Sequence, residues 1–496
     1  MAERARNFID GRWQEASTGD DLERRNPADV SQVVGHVVKS GKDDVDRAVI
    51  AARKAYMKWR LTPAPKRGEV LFRTAETISR RKRELGELVT REMGKIIPEG
   101  LGDVQEAIDI TYYMAGEGRR LTGETVPSEL SDKDCKSIRV PVGVCALITP
   151  WNFPVAIPAW KLMPALVCGN TVVFKPSSHT ALCATRLVQI LQEAGIPDGV
   201  VNLVHGRGEE TGEYLAAHEG TDALSFTGSS AVGERLAATG IASRKRVSCE
   251  MGGKNAIIVM DDADLTLAVE GALWGAFGTA GQRCTSASRL IVHNAVYDEF
   301  LGLFTEAASR LRLGNGLLAD TDVGPLVNEA QMQRVLDYID IGLAEKGRVV
   351  LGGRRCMAGP CEKGFFIEPT VFVDVMPWMR IAREEIFGPV ACVMRAGSLD
   401  EALEIANSTT YGLVAAIYTR DVNASATAER DLETGIVYVN ASTIGAEVQL
   451  PFGGVKRSGI GHREAGGRGG ALDMFSRWKV IYRDYSGRLQ KAQIDR

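Results

Sequence analysis

No stretch of this 496-residue chain approaches the ~20 consecutive apolar residues that a membrane-spanning helix needs. Its start, Met1-Ala2-Glu3-Arg4-Ala5-Arg6, is charged and has no apolar run behind it, so no secretory signal is expected. Histidine is scarce, with six in all and none in an H-E-x-x-H spacing, so no metal site is expected. The nine cysteines form no framework: they scatter from Cys135 to Cys392, and only Cys356 and Cys361 are close, with no histidine near them. Neither a zinc site nor a set of disulfides is expected, and a reducing, cytoplasmic setting fits. A formal net charge of −3 gives no reason to expect nucleic acid or an anionic membrane as a partner. Internal repeats and low-complexity segments are missing too.

What is present is an ordinary globular composition, 45% hydrophobic and 25% charged, in a chain long enough for two or three domains. Glycine is the exception. Its 53 residues exceed the usual ~7%. Many follow apolar runs, where a ligand's approach to the backbone requires them.

Residues 43–118 carry apolar positions at i, i+3 and i+4, as in Val70-Leu71-Phe72-Arg73-Thr74-Ala75, and read as helical. From Val142 short apolar runs alternate with helical stretches. The runs are Val144–Ile148, Thr171–Phe174, Val200–Val204, Ala223–Phe226, Arg246–Ser248 and Ala256–Met260. Helices are expected after Pro154, over 181–194, near 209–218 and after Gly228. This alternation predicts a parallel sheet that binds ligands at the carboxyl ends of its strands. A second α/β unit is expected from about Asp261 to 455, with strands at Arg289–Val292, Val390–Val393 and Leu413–Tyr418. Trp478–Tyr482 and Ser137–Val140 are expected to pair as an outlying strand element.

Several motifs sit at predicted strand ends. Thr149-Pro150-Trp151-Asn152-Phe153-Pro154 is a proline-fixed loop offering one amide, Asn152, suited to an oxyanion or to simple turn chemistry. Lys175-Pro176-Ser177-Ser178 offers a lysine for a ribose or phosphate, or a solvated one. Gly206-Arg207-Gly208-Glu209-Glu210-Thr211-Gly212 nearly matches a dinucleotide fingerprint but holds one residue too many. Phe226-Thr227-Gly228-Ser229 opens a helix whose free N–H groups suit a pyrophosphate, or an ordinary cap. Cys284, in Gly281-Gln282-Arg283-Cys284-Thr285, lies among polar residues, 34 residues after Glu250 of Glu250-Met251-Gly252-Gly253-Lys254-Asn255. If the two loops meet, a thiol nucleophile gains a base. Glu385-Ile386-Phe387-Gly388-Pro389 is ambiguous on its own.

In this order, and with Gly233 and Pro451-Phe452-Gly453-Gly454-Lys456-Ser458-Gly459, these motifs resemble the aldehyde dehydrogenase superfamily from Asn7 to the C-terminus. The resemblance implies an α/β fold with a Rossmann-type parallel-sheet cofactor domain (1–121 and 142–252), an α/β catalytic domain (253–470), and a small β oligomerisation element (122–141 and 471–496). Oxidation of an aldehyde to an acid with NAD or NADP is implied, in a homodimer or homotetramer. By the same resemblance Cys284 is the nucleophile, Glu250 the general base and Asn152 an oxyanion donor. Thr149, Trp151, Lys175, Ser178, Gly208, Gly228, Ser229, Gly233, Glu385 and Phe387 are implied at the cofactor. Arg283, Trp160 and Phe452 are implied at the substrate.

Three positions narrow the expectation. Ser178 replaces a glutamate that binds the ribose in many NAD-using relatives, which points to acceptance of NADP. Arg283 suggests a carboxylate at the far end of the substrate, as in the aminoadipate and ketoglutarate semialdehyde branches; an ion pair is its structural alternative. Trp160, where relatives specific for succinate semialdehyde often carry arginine, suggests an apolar entrance and neutral aldehydes. His462 adds a residue before Arg463-Glu464, which puts the relay attributed to that glutamate in question. A coenzyme-A-acylating enzyme and an inactive homologue are the remaining alternatives. The presence of Glu250 favours water over coenzyme A as the acyl acceptor.

Overall fold

The computed structural model describes residues 3–494. The helical pattern over 43–118 forms four helices, Lys42–Trp59, Ala64–Arg80, Lys82–Met93 and Ile97–Glu117. Local chemistry divides them. Gly94 ends the third in a left-handed conformation, φ 98°. Pro98 sits in the first turn of the fourth, where its missing N–H costs nothing.

Five strands follow as expected: β1 (Val144–Ile148), β2 (Thr171–Lys175), β3 (Val201–Leu203), β4 (Ala223–Thr227) and β5 (Arg246–Glu250). All pair in parallel, in the spatial order β3-β2-β1-β4-β5. Every residue of β1 and β2 is buried. Such strands read as continuous apolar runs because helices cover both faces of the sheet. The order reverses between β1 and β4, and a crevice opens at their carboxyl ends. The hairpin Asn7–Ile9/Arg12–Gln14 extends one edge and Gly459–Gly461 the other, both antiparallel. The helix expected near 209–218 is a π turn, Gly208–Gly212, leading into a short helix, Glu213–Ala217. The extra residue of the glycine motif falls in that wider turn.

The run at Ala256–Met260, expected to continue the first sheet, instead forms the strand Asn255–Val259 at the centre of a second, seven-stranded sheet, beside Ala287–His293. Val390–Ala396 and Val414–Tyr418 flank them in parallel, and only Arg348–Leu351 runs antiparallel to its neighbour. The outlying element forms as well. Ser476–Asp484 pairs antiparallel with Lys133–Pro141, placing Trp478 opposite Arg139. Ser476–Asp484 is the edge strand of that small sheet, and Trp478, Val480 and Tyr482 on it are exposed. Among the described residues no helix is long and apolar enough to cross a membrane.

Candidate active site

The crevice between β1 and β4 is a cavity of about 680 Å³. Thr149, Trp151 and Asn152, just past β1, line one side of it. Lys175 ends β2, Ser178 follows it, and Gly208 comes from the π turn. Gly228 and Ser229 stand where β4 turns into the helix Ser230–Ala242, and Glu385 and Phe387 close the cavity from the second sheet's side. Gly233 lies a turn into that helix and does not line the cavity. A Cβ there would meet Met251 Sδ at 2.5 Å, so its glycine serves close packing.

These residues fit an anionic dinucleotide. The helix after Ser229 starts without a side-chain cap, leaving its first N–H groups for an anion. Thr149 Oγ1 is buried in the cavity wall with no hydrogen-bond partner among the described residues. Lys175, at the end of its strand, has burial pushing its amine down to about 8, against an opposing effect from Glu209. Glu385 accepts a hydrogen bond from Gly253 N at 3.1 Å, and burial lifts its carboxyl to about 6. A Cβ on Gly252 would fall 2.2 Å from Glu385 Oε2, so a larger residue there would displace that carboxylate. Phe387 takes a left-handed φ of 63° and meets the Trp151 ring edge-on at 5.5 Å.

A second cavity, about 830 Å³, opens on the other side. Trp160 and Phe452 stand in its wall in an edge contact at 5.1 Å, with Arg283, Glu250 and Glu464. The two cavities share four lining residues: Ile157, Thr227, Met251 and Cys284. Cys284 therefore stands where they meet, with a reactive side chain reachable from both.

The loop before it is strained. Thr279, Ala280 and Gly281 are consecutive left-handed residues, with φ of 54°, 53° and 68°. Only glycine fits at 281, because a Cβ would lie 2.2 Å from the Gly388 carbonyl oxygen. Buried Gln282 pins the turn, donating to the Thr279 and Pro325 carbonyls and accepting from Val327 N. Asn255 Nδ2 donates to the Cys284 carbonyl at 2.7 Å. Seven of the nine cysteines are buried; Cys284 is half-buried, as is Cys356. Burial first, then Glu385, Glu250 and Glu464, push the Cys284 thiol up to about 12.

Glu250 is the last residue of β5 and only 4% exposed. Gly454 N donates to its Oε2 at 3.2 Å, and a Cβ on Gly453 would sit 2.2 Å from its Oε1. Burial, then Glu464, hold its carboxyl well above the ordinary range. The extra His462 does not carry Glu464 away from the site. Reciprocal backbone hydrogen bonds with Phe452, both 2.7 Å, fix Glu464 in the same cavity wall as Glu250. Its carboxylate pairs with Lys161 and accepts from Thr227 Oγ1 at 2.9 Å. Sequence reasoning missed Lys161, whose signal was a lone cation in the apolar helix Ala156–Cys168.

Arg283 lines the second cavity, but its charge is partnered. It pairs with Glu99 at 3.3 Å, donates to Thr279 Oγ1 at 2.8 Å, and lies over the rings of Trp274 and Phe153. The ion pair weighed as its structural alternative is therefore present. Glu99, also missed from the sequence, further accepts from Thr279 N, so the pair braces the strained loop.

The model of the aldehyde dehydrogenase family matches residues 13–481. The alpha-ketoglutaric semialdehyde dehydrogenase of Bacillus subtilis is 41% identical over 476 residues, covering 96% of this chain and 97% of that protein. The alpha-ketoglutarate semialdehyde dehydrogenase of Haloferax volcanii is 43% identical over 486 residues, covering 98% and 100%. Among solved structures, betaine aldehyde dehydrogenase from Staphylococcus aureus in complex with NAD+ superposes with a TM-score of 0.95 at 34% identity, covering 98% of this chain and 96% of that one. With two cavities meeting at a half-buried cysteine on this doubly wound sheet, and with these matches along nearly its whole length, the chain belongs to the aldehyde dehydrogenase family.

Proposed function

We propose that this protein oxidises an aldehyde to a carboxylic acid with NAD or NADP, through a covalent intermediate on Cys284. The observation that carries this reading is the meeting of the two cavities at that residue. Thr149, Trp151, Lys175, Ser178, Ser229, Glu385 and Phe387 would hold the cofactor. When bound, the nicotinamide supplies the hydride acceptor. Cys284, once ionised, adds to the carbonyl carbon. Asn152, buried in the wall of the first cavity that Cys284 also lines, would supply an N–H donor for the developing alkoxide. The oxidised adduct is a thioester, and Glu250 takes the proton of the water that cleaves it. Glu464, held by Lys161 in the same cavity wall as Glu250, would accept that proton in turn. A panel of aldehydes assayed for reduced cofactor and acid product, without coenzyme A, tests the reading. Strict dependence on coenzyme A would replace it by the acylating alternative. Asn152→Ala is expected to lower kcat by about 10²–10³-fold with cofactor binding unchanged. A loss of less than about threefold would remove Asn152 from the oxyanion site.

For the substrate, the first reading is a semialdehyde acid. It is supported by the two semialdehyde relatives and by Arg283 in the cavity wall. Neutral aliphatic or aromatic aldehydes are favoured instead by the Trp160–Phe452 pair and by the prior claim of Glu99 on Arg283. Arg283→Ala separates them: KM for semialdehyde acids rises under the first reading and stays constant under the second. Ser178 and Lys175 support acceptance of NADP. A kcat/KM for NADP far below that for NAD would end that reading.

The protein is further proposed to be a homodimer or homotetramer. An edge strand carrying Trp478, Val480 and Tyr482 needs cover. Native mass spectrometry is expected to show a multiple of the 53.7 kDa chain. Tyr482→Lys together with Val480→Lys should shift it toward the monomer; a wild-type monomer would contradict the proposal.

A further inference from the structure

An element of neither large sheet reaches into the wall of the first cavity. The strand Asp21–Asn26 belongs to a separate three-stranded sheet with Glu3–Ala5 and Asp29–Val38. It delivers Arg24 beside Ser178, His179 and Arg207. We infer that Arg24 and Arg207 together bind a phosphomonoester, the 2′-phosphate of the dinucleotide's adenosine. The inference rests on the proposed use of NADP and adds the residues that would read it.

Three observations support it. First, Arg24, Arg207 and Lys175 line one cavity, and none forms an ion pair among the described residues. The carboxylate closest in effect to Arg24 is Glu92, and it is spent on Leu182 N and Cys183 N, at 3.0 and 2.8 Å. Glu209, in the same wall, acts on Lys175. Burial and the proximity of Arg207 both depress the affinity of Arg24 for its proton. Glu92 opposes that effect at a distance without pairing with Arg24; two guanidinium groups in one wall still repel each other, and a dianionic group between them turns that repulsion into attraction.

Second, Arg24 is held but not used up. Its Nε donates to the Glu23 carbonyl at 2.8 Å and its Nη1 meets His179 Nδ1 at 2.7 Å. Of the five N–H donors of a guanidinium, three remain, in the fork geometry that suits phosphate. Because Arg24 always donates, His179 Nδ1 accepts. Burial, then Arg24 and Lys175, push His179 down to about 4, so it stays a neutral prop.

Third, the residue next to that prop is Ser178. Its hydroxyl brings no charge to oppose a phosphate, unlike an acid at the same position.

The test is calorimetric binding of adenosine 2′,5′-bisphosphate and of adenosine 5′-monophosphate to the full-length protein. The wild type is expected to bind the bisphosphate at least about tenfold more tightly, a difference of about 1.4 kcal/mol. Arg24→Met and Arg207→Met should each remove most of that preference and leave monophosphate affinity within about twofold. Arg24→Lys, keeping charge without the fork, should fall between. Equal binding of both nucleotides by the wild type would overturn the inference and the NADP reading together. A wild-type preference that survives Arg24→Met would overturn the role of Arg24 and leave the NADP reading standing. Should Arg24→Met fail to fold, as judged by circular dichroism, undiminished preference in Arg24→Lys and Arg207→Met would overturn the inference.

Discussion

Cys284→Ala is expected to abolish turnover, by about 10⁴–10⁶-fold, with nucleotide binding intact. No other described cysteine can substitute. Seven are buried, and Cys356, the other half-buried one, lies outside both cavities. The thiol's own ionisation gives a second readout. With its pKa pushed up to about 12 in the cofactor-free protein, thiolate is the minor form at neutral pH. Raising the pH populates it, so the alkylation rate at Cys284 should climb by ~10-fold per pH unit across the neutral range. A cationic nicotinamide nearby would favour the thiolate, and NAD+ should move the profile to lower pH. Peptide mapping after iodoacetamide treatment measures both. An alkylation rate that levels off below neutral pH in the cofactor-free protein would contradict the description of this thiol. Retained turnover in the alanine variant would remove Cys284 from the chemistry.

Glu250→Gln should separate the two halves of the reaction. Oxidation of the first equivalent of aldehyde needs no water, so a single burst of reduced cofactor is expected to survive. Hydrolysis needs the base, and steady-state turnover should fall by about 10²–10⁴-fold. Mass spectrometry of the quenched reaction should then find acyl adduct on Cys284. Burial and Glu464 raise the proton affinity of Glu250, so in the wild type the hydrolytic step should speed up as pH rises above the usual carboxylate range. Gly453→Ala offers a structural counterpart, because its Cβ would displace the Glu250 carboxylate. It should slow hydrolysis more than the burst. Steady-state turnover left intact by Glu250→Gln would exclude Glu250 as the base.

Much of this is legible in the sequence alone. The runs at Val144–Ile148 and Thr171–Lys175 announce themselves because a strand covered on both faces has no room for polar side chains. The glycines at 252 and 281 are visible in the sequence, though not the Glu385 carboxylate that a Cβ at 252 would displace or the Gly388 carbonyl that excludes one at 281. The left-handed turn at Thr279 and Ala280 gave no signal, since neither residue type favours that conformation. The bound state of Arg283 was equally hidden. A single arginine before Cys284 reads the same whether its fork is free or held by Glu99.

The sequence by itself determined the alternation of strand and helix, the parallel sheet that follows from it, and the order of the loops that bear Asn152, Glu250 and Cys284. Those are local properties: periodicity and turn chemistry act over a few residues. Only the tertiary structure decided which distant groups meet. Arg283 and Glu99 are 184 residues apart, and Lys161 and Glu464 are 303 apart. Arg24 reaches the first cavity from a sheet of its own. No local pattern encodes such pairs, because a charged side chain shows its type in the sequence and its partner only in the packed fold. That partner decides whether Arg283 is free for a substrate carboxylate and whether Arg24 is free for a phosphate.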